Sequence, residues 1–199
     1  MTIEKEAFEE MFEASDDPWA FRTRWYEERK RQLTLACLPS RRYARGYEPG
    51  CANGELSAAL ATRCDRLLVS DGAAAAIVLA RQRLASLAHV EVTRLSTPVE
   101  WPAGFFDLVV LSELGYCLPS TMLLRLADNA ARSLAEQGVI VACHWREAIS
   151  GCELAGDAVH QVLADRLEMV RLAHHTEADF VIDVWSMDGR SVARRESVD

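Results

Sequence analysis

The chain has 199 residues, half of them apolar and 26% charged, with a formal net charge of −8. That length suits one domain with a full hydrophobic core, and the acidic balance argues against nucleic acid, whose phosphates need clustered cations. No stretch approaches the ~18 apolar residues of a membrane span. Residues 1–6 lack the basic-then-apolar layout of a secretory leader, and the six cysteines never form C-x-x-C, so a cytoplasmic protein with reduced, mostly buried thiols is expected.

In chain order, Ile3, Ala7, Phe8, Met11 and Phe12 recur at helical spacing. Ser15-Asp16-Asp17-Pro18 breaks that helix and offers a cap for the next. A long aromatic-rich helix is expected over 19–37, ending at Leu38-Pro39. Residues 1–17 are acidic, whereas 22–45 are basic and carry Arg22, Arg24, Arg29, Lys30 and Arg31. The segregation reads as two solvated helix faces packed together, or as a site for an anionic substrate. Residues 43–47 form a short strand that runs into a glycine loop. Helix over 56–62, strand over 66–70 and helix over 73–87 follow. Residues 89–94 and 106–111 read as strands, 121–135 as helix and 139–143 as a strand. This alternation means a parallel sheet with helices on both faces and any ligand at the strands' C-terminal edge. The ending changes character: 158–164 looks helical, and 167–174 and 180–187 pair as a hairpin. The fold class is therefore α/β, a three-layer Rossmann-like seven-stranded sheet, mostly parallel with a C-terminal antiparallel hairpin. Residues 1–38 are read as cap helices, 39–189 as the core and 190–199 as a frayed tail of one domain.

The loop Glu48-Pro49-Gly50-Cys51-Ala52-Asn53-Gly54 carries the chemistry, together with Asp71 at the next strand end. Glycines let the backbone approach a ligand where a Cβ would collide. The two carboxylates are acceptors for a cationic amine and for ribose hydroxyls. A dinucleotide fingerprint from Gly50 wants glycine where Ala52 and Glu55 stand, and Glu55 would repel a pyrophosphate at the helix start. S-adenosyl-L-methionine (SAM) carries an ammonium and a sulfonium and no phosphate, so it suits this loop. An NAD(P)-dependent oxidoreductase and a SAM-binding protein without catalysis stay as rivals.

Further stretches carry a family resemblance. They are Asp17-Pro18-Trp19, Trp25-Tyr26-Glu27-x-Arg29-Lys30, Glu48-x-Gly50-Cys51-x-x-Gly54 and Glu100-Trp101-Pro102. With Phe106-Asp107-Leu108-Val109-Val110-Leu111-Ser112-Glu113 and Cys143-His144-Trp145-Arg146, they make most of the chain resemble a class I SAM-dependent methyltransferase. More narrowly, it is similar to the NodS-like family, the nodulation N-methyltransferases. The resemblance implies that Glu48, Gly50, Cys51 and Gly54 lie under the methionine part of SAM and that Asp71 takes the ribose hydroxyls. It places Leu95 and Ser96 beside the adenine, Ser112 and Glu113 beside the sulfonium, and His144 facing the substrate. It also implies N-methylation of a small-molecule amine such as an amino sugar, with O-methylation as an alternative. This chain departs from the family's pattern at Pro49, at Ala52 in place of the usual middle glycine, and at Ser96-Thr97.

Each candidate also has a plainer reading. His144 ends an apolar strand and reads either as a structural histidine or as a base. Glu113 reads equally as a helix-entry carboxylate and Asp71 as a helix cap, while Tyr116 offers a hydroxyl to orient an amine. Trp19, Trp25 and Tyr26 are core or substrate walls. Adjacent His174 and His175 point to opposite faces of a strand, and no His/Cys spacing suits zinc, so no metal is expected.

Overall fold

The structure, a computed structural model, describes residues 5–195. Seven strands form one sheet in the order β3-β2-β1-β4-β5-β7-β6. The strands β1 (Tyr43–Pro49), β2 (Cys64–Asp71), β3 (Val90–Arg94), β4 (Phe106–Ser112) and β5 (Leu134–Trp145) pair in parallel. The last two, β6 (Val170–Thr176) and β7 (Phe180–Ser186), form the expected hairpin. It inserts with β7 antiparallel to β5, leaving β6 at the edge.

The central strands are buried on both faces, and period-2 alternation divides their side chains between two cores. Leu108, Val110, Val139, Val141, Cys143 and Ile182 face the layer of α2 (Trp25–Ala36), α3 (Glu55–Ala61) and α4 (Ala74–Leu84). Val109, Leu111, Ile140, Ala142 and Trp185 face α5 (Ser120–Arg132) and α6 (Gly156–Leu167). All the parallel strands end on one edge, which is where the candidate residues gather. No helix among the described residues is long and apolar enough to cross a membrane.

Three of the boundaries that differ from expectation have a local physical cause. The second helix begins at Trp25 rather than at 19. Asp17 accepts the backbone N–H groups of Phe21 and Arg22 at 2.8 and 3.0 Å, and Ala20 takes φ 57°, so residues 16–24 are a knot of turns. The fifth helix stops at Arg132, because Ser133 and Leu134 pair with Phe106 and start β5 early. A register shift between Phe106 and Leu108 absorbs residues 135–138. Finally, the expected tail carries a short helix, α7 (Val192–Arg195), whose Arg195 guanidinium donates to Asp188 O at 2.7 Å. Residues 196–199 lie outside the described part.

Candidate functional site

The loop after β1 is built on left-handed backbone. Gly50, Ala52 and Gly54 have φ of 74°, 49° and 82°. The N–H groups of Gly50 and Cys51 both donate to Ser70 O, at 2.7 and 2.9 Å, which folds the loop back over the end of β2. At Gly54 a Cβ would stand 3.3 Å from Ala80 Cα, so glycine there serves both the turn and the approach of α4. Ala52 holds the same kind of conformation at a cost of roughly 1–2 kcal/mol. Asp71 offsets it, because its Oδ2 accepts the Ala52 N–H at 3.0 Å.

Asp71 also caps α4, its Oδ1 accepting the Ala73 N–H at 2.9 Å. The cap reading and the ligand reading are therefore compatible, since each carboxylate oxygen has a further lone pair. Burial raises the Asp71 carboxyl above its ordinary range despite these hydrogen bonds. Glu48 is 2% exposed, accepts the Ser57 hydroxyl at 2.6 Å, and is pushed up to about 8 by burial and then by Asp71. The Cys51 thiol beside them is buried and pushed well up by burial, so it is packing rather than a nucleophile. Leu95 donates its N–H to Asp71 O at 3.1 Å, which sets the start of the β3 loop against Asp71. Ser96 follows, with its N–H on Glu100 Oε2 at 2.6 Å. Ser112 lies at the end of β4, in register with Cys143.

The N-terminal segment covers this loop. On α1 (Lys5–Ala14), Glu9 accepts the N–H groups of Ala74 and Ala75 at 2.6 and 2.9 Å, capping α4 from outside. Phe12 and Trp19 meet edge to face at 5.4 Å, with Phe12 packed on Ala73 and Ala76 and with Trp19 and Ala52 at the margin of the same cluster. Asn53 in the loop is fully buried and donates to Asp16 O and Asp17 Oδ1 at 3.1 and 3.0 Å. Its Oδ1 has no hydrogen-bond partner. A buried orphan acceptor, with the buried Glu48 and the half-buried Asp71 carboxyl groups around a glycine loop, fits a ligand that brings an ammonium and hydroxyls.

Across the edge lies a second cluster, which joins the expected Glu113 and Tyr116 to Lys30 and Glu27, to which the sequence assigned no role in the site. Glu113 takes φ 54°, and this left-handed step turns its side chain toward α2. Its carboxylate accepts Lys30 Nζ at 2.8 Å, the Trp145 N–H at 3.2 Å and the Tyr116 hydroxyl. Lys30 also pairs with Glu27 at 3.0 Å. Burial alone would push the Lys30 ammonium down, but Glu113 and other neighbours, Glu27 among them, hold it above its ordinary value. Tyr116 is buried, and burial followed by Glu113 raises its phenol well above the usual range. The Tyr26 ring stands edge-on to Trp145 at 5.5 Å, and its hydroxyl is buried without a partner. Lys30 is therefore no part of a solvated basic face; it is 6% exposed. The signal that could have found it is the polar stripe Glu27, Lys30, Thr34 at i, i+3 and i+7 of α2, a stripe that is buried.

His144, expected to face the substrate, is buried beneath the turn that carries Glu113. On β5 it shares a face with Ile140 and Ala142, toward α6, and it is 0% exposed. Its Nε2 accepts the Gly115 N–H at 2.9 Å, and its Nδ1 meets His160 Nε2 at 3.1 Å. Burial, with His160 adding, holds it well below the ordinary imidazole range. Both ring nitrogens are thus engaged within the protein, and the ring has no solvent contact. Among the described residues, no cluster of His, Cys, Asp or Glu is placed to hold a metal ion.

Comparisons with known proteins agree with this architecture. The profile of the family Nodulation protein S (NodS) matches residues 4–184. A Nodulation protein S from Rhizobium tropici is 31% identical over 174 residues, 83% of this chain and 72% of that protein. The crystal structure of the N-methyltransferase NodS from Bradyrhizobium japonicum WM9, in complex with S-adenosyl-L-homocysteine (SAH), superposes with a TM-score of 0.82. That pair is 26% identical, covering 91% of this chain and 96% of the other. A crystal structure from Pseudomonas syringae, provisionally assigned as a methyltransferase, is 53% identical over 82% of this chain and 99% of its own, with a TM-score of 0.74. Fold and site together define a SAM-dependent methyltransferase of the Rossmann-like class. Within that class, the chain belongs to the NodS family. Its cofactor is SAM and the product SAH, which sets aside the nicotinamide reading.

Proposed function

We propose that this enzyme N-methylates a small-molecule amine, an amino sugar or its conjugate being the preferred class. The observation that carries the reading is the Glu113 carboxylate at the ligand edge, turned there by its left-handed backbone and braced by Tyr116 and Lys30. Its kinship with an N-methyltransferase supports the same conclusion. In this reading Glu48, Gly50, Cys51, Gly54 and Asp71 hold the cofactor, with Leu95 and Ser96 along the adenine side and Ser112 toward the reacting end. Residues 1–38 act as its cap over the 39–189 core. When bound, SAM supplies an electrophilic methyl group, and the protein supplies position and electrostatics.

An ammonium has no lone pair, so the amine must enter in its neutral form, its proton already given up to solvent. Glu113 attracts the amine and aims it by hydrogen bonding, and Tyr116 and Lys30 hold the carboxylate in place. Glu27 adds a second negative charge on the α2 side. Glu113→Gln keeps the shape but weakens that attraction. It should lower turnover by about 10²-fold, the usual size for one misplaced positioning group, with SAH affinity nearly intact. A panel of acceptors with SAH detection tests the class. If phenols or carboxylates yield SAH while amines, glucosamine derivatives included, do not, the N-methyl reading is wrong.

A further inference from the structure

The His144 ring begins a buried polar chain that none of the roles above uses. Gly115 N–H donates to His144 Nε2 at 2.9 Å, and His144 Nδ1 lies 3.1 Å from His160 Nε2. His160 Nδ1 in turn lies 2.6 Å from Asp183 Oδ2, and Asp183 Oδ1 lies 2.8 Å from Nδ1 of the half-exposed His174. His144, His160 and Asp183 are 0, 5 and 2% exposed.

The two ends of this chain allow one arrangement of protons. A backbone N–H can only donate, so His144 Nε2 must be bare and its proton must sit on Nδ1. A carboxylate can only accept, so His160 carries its proton on Nδ1 and offers a bare Nε2 to His144. Asp183 stays a carboxylate: burial would raise it, but hydrogen bonds from His160 and His174 outweigh that and lower it. A doubly protonated His160 would leave two N–H groups, its own and that of His144, pointing at each other. Both rings are therefore neutral and oriented in one direction.

The receiving end lies in the turn that carries Glu113. Gly115 is clamped there: a Cβ would meet Val159 Cγ1 at 2.3 Å and His144 Nε2 at 3.0 Å. The Tyr116 ring packs edge-on against the same imidazole at 5.4 Å. We propose that His160 and Asp183 are positioning residues for methyl transfer: they fix His144 as an acceptor, and His144 holds the Glu113–Leu114–Gly115–Tyr116 turn through the Gly115 N–H. This rests on the reading of Glu113 and Tyr116 as the acceptor-side groups.

Asp183→Asn tests it: Arg171 Nη1, which can only donate, lies 3.5 Å from Oδ1 and keeps the amide oxygen on that side, so the NH₂ falls opposite His160 Nδ1 and reverses the chain. His144 would then carry its proton on Nε2, opposite the Gly115 N–H, and the turn would have to move. An amide turned the other way would keep both tautomers, and the coupling then requires full kcat. Two-bond 1H–15N correlation on histidine-labelled protein reads each tautomer directly. The wild type should show His144 and His160 protonated at Nδ1, and Asp183→Asn should show both at Nε2. Turnover of an accepted substrate should fall about 10²-fold, while SAH affinity by calorimetry stays within about twofold, since the cofactor loop is not touched. His160→Gln is the second variant. Its carbonyl accepts from His144 and its NH₂ donates to Asp183, so the polarity is kept and most of kcat should survive.

A wild-type His144 protonated at Nε2 would overturn the proposal. So would an inverted tautomer in Asp183→Asn with full turnover. If Asp183→Asn does not fold, His160→Gln decides alone: a folded protein that has lost 10²-fold in kcat with His144 still protonated at Nδ1 would overturn it. The reading of Glu113 fails separately, by full turnover in Glu113→Gln, and that result leaves the tautomer measurements and their coupling to kcat to decide the positioning role.

Discussion

Replacing Glu48 with Gln should flatten part of the pH dependence of stability in the ligand-free protein. The Glu48 carboxyl is pushed up to about 8 by burial, with Asp71 adding repulsion and Ser57 offsetting part of it. In the unfolded chain a Glu titrates near ~4.3. Between those values the folded state keeps a proton that the unfolded state has lost. The stability this group contributes is therefore fully present below the unfolded value and is lost as pH rises through the folded one. Each pH unit inside that window costs about 1.4 kcal/mol, so moving from about pH 6 to about pH 8 removes about 2–3 kcal/mol. Gln at this position keeps the volume and an acceptor for the Ser57 hydroxyl, which lies 2.6 Å away, and does not titrate. Urea unfolding of both proteins at a series of pH values gives the difference curve, in which all other titrating groups cancel. That difference should grow in favour of Gln as pH rises. A cationic ligand amine should reverse the balance by favouring the carboxylate. SAH binding near neutral pH should then release close to one proton in wild type and fewer in Glu48→Gln, as read by calorimetry in buffers of different ionisation enthalpy. Parallel stability curves for the two proteins would refute the assignment of a buried, protonated Glu48.

Three other outcomes follow from the geometry. Asp71→Ala leaves the N–H groups of Ala52 and Ala73 without their partner and should weaken SAH binding at least tenfold by calorimetry; unchanged affinity would reduce Asp71 to a helix cap. Glu9→Ala uncaps α4, with an expected loss of about 0.5–2 kcal/mol, and should weaken SAH binding as α1 loosens; unchanged SAH affinity would count against a cap over the cofactor. Gly156→Ala would set a Cβ 2.1 Å from Trp145 O and should destabilise by about 1–3 kcal/mol or more, read as a lowered Tm. Gly189→Ala, whose nearest neighbour would be Val170 Cγ2 at 3.3 Å, should change Tm far less.

Much of this molecule is legible from local pattern alone. Apolar runs such as Phe106-Asp107-Leu108-Val109-Val110-Leu111 alternate with helical segments, and right-handed crossovers then bring Glu48, Asp71, Ser112 and Glu113 to one edge. The glycine loop is equally local, because positive φ at Gly50 and Gly54 is a property of a few consecutive residues. Element ends were harder to read. The second helix starts late because Asp17 caps a turn before it, and β5 starts early because Leu134 finds Phe106 across the sheet. The sequence by itself therefore determined the sheet, the edge where its parallel strands end and the glycine loop, since periodicity and turn chemistry act between near neighbours. Only the tertiary structure decided where His144 and Lys30 lie and what they touch. A histidine at a strand end can face the ligand or the helices, and the fold turned this one toward α6, where His160 and Asp183 wait on other elements. A lysine in a basic stretch reads as surface, and only the packing of α2 over β5 drew it between Glu27 and Glu113. Buried charge needs partners: Glu27, three residues away, belongs to the polar stripe of α2 and is legible locally, whereas Glu113, 83 residues away, is a partner that no local pattern encodes.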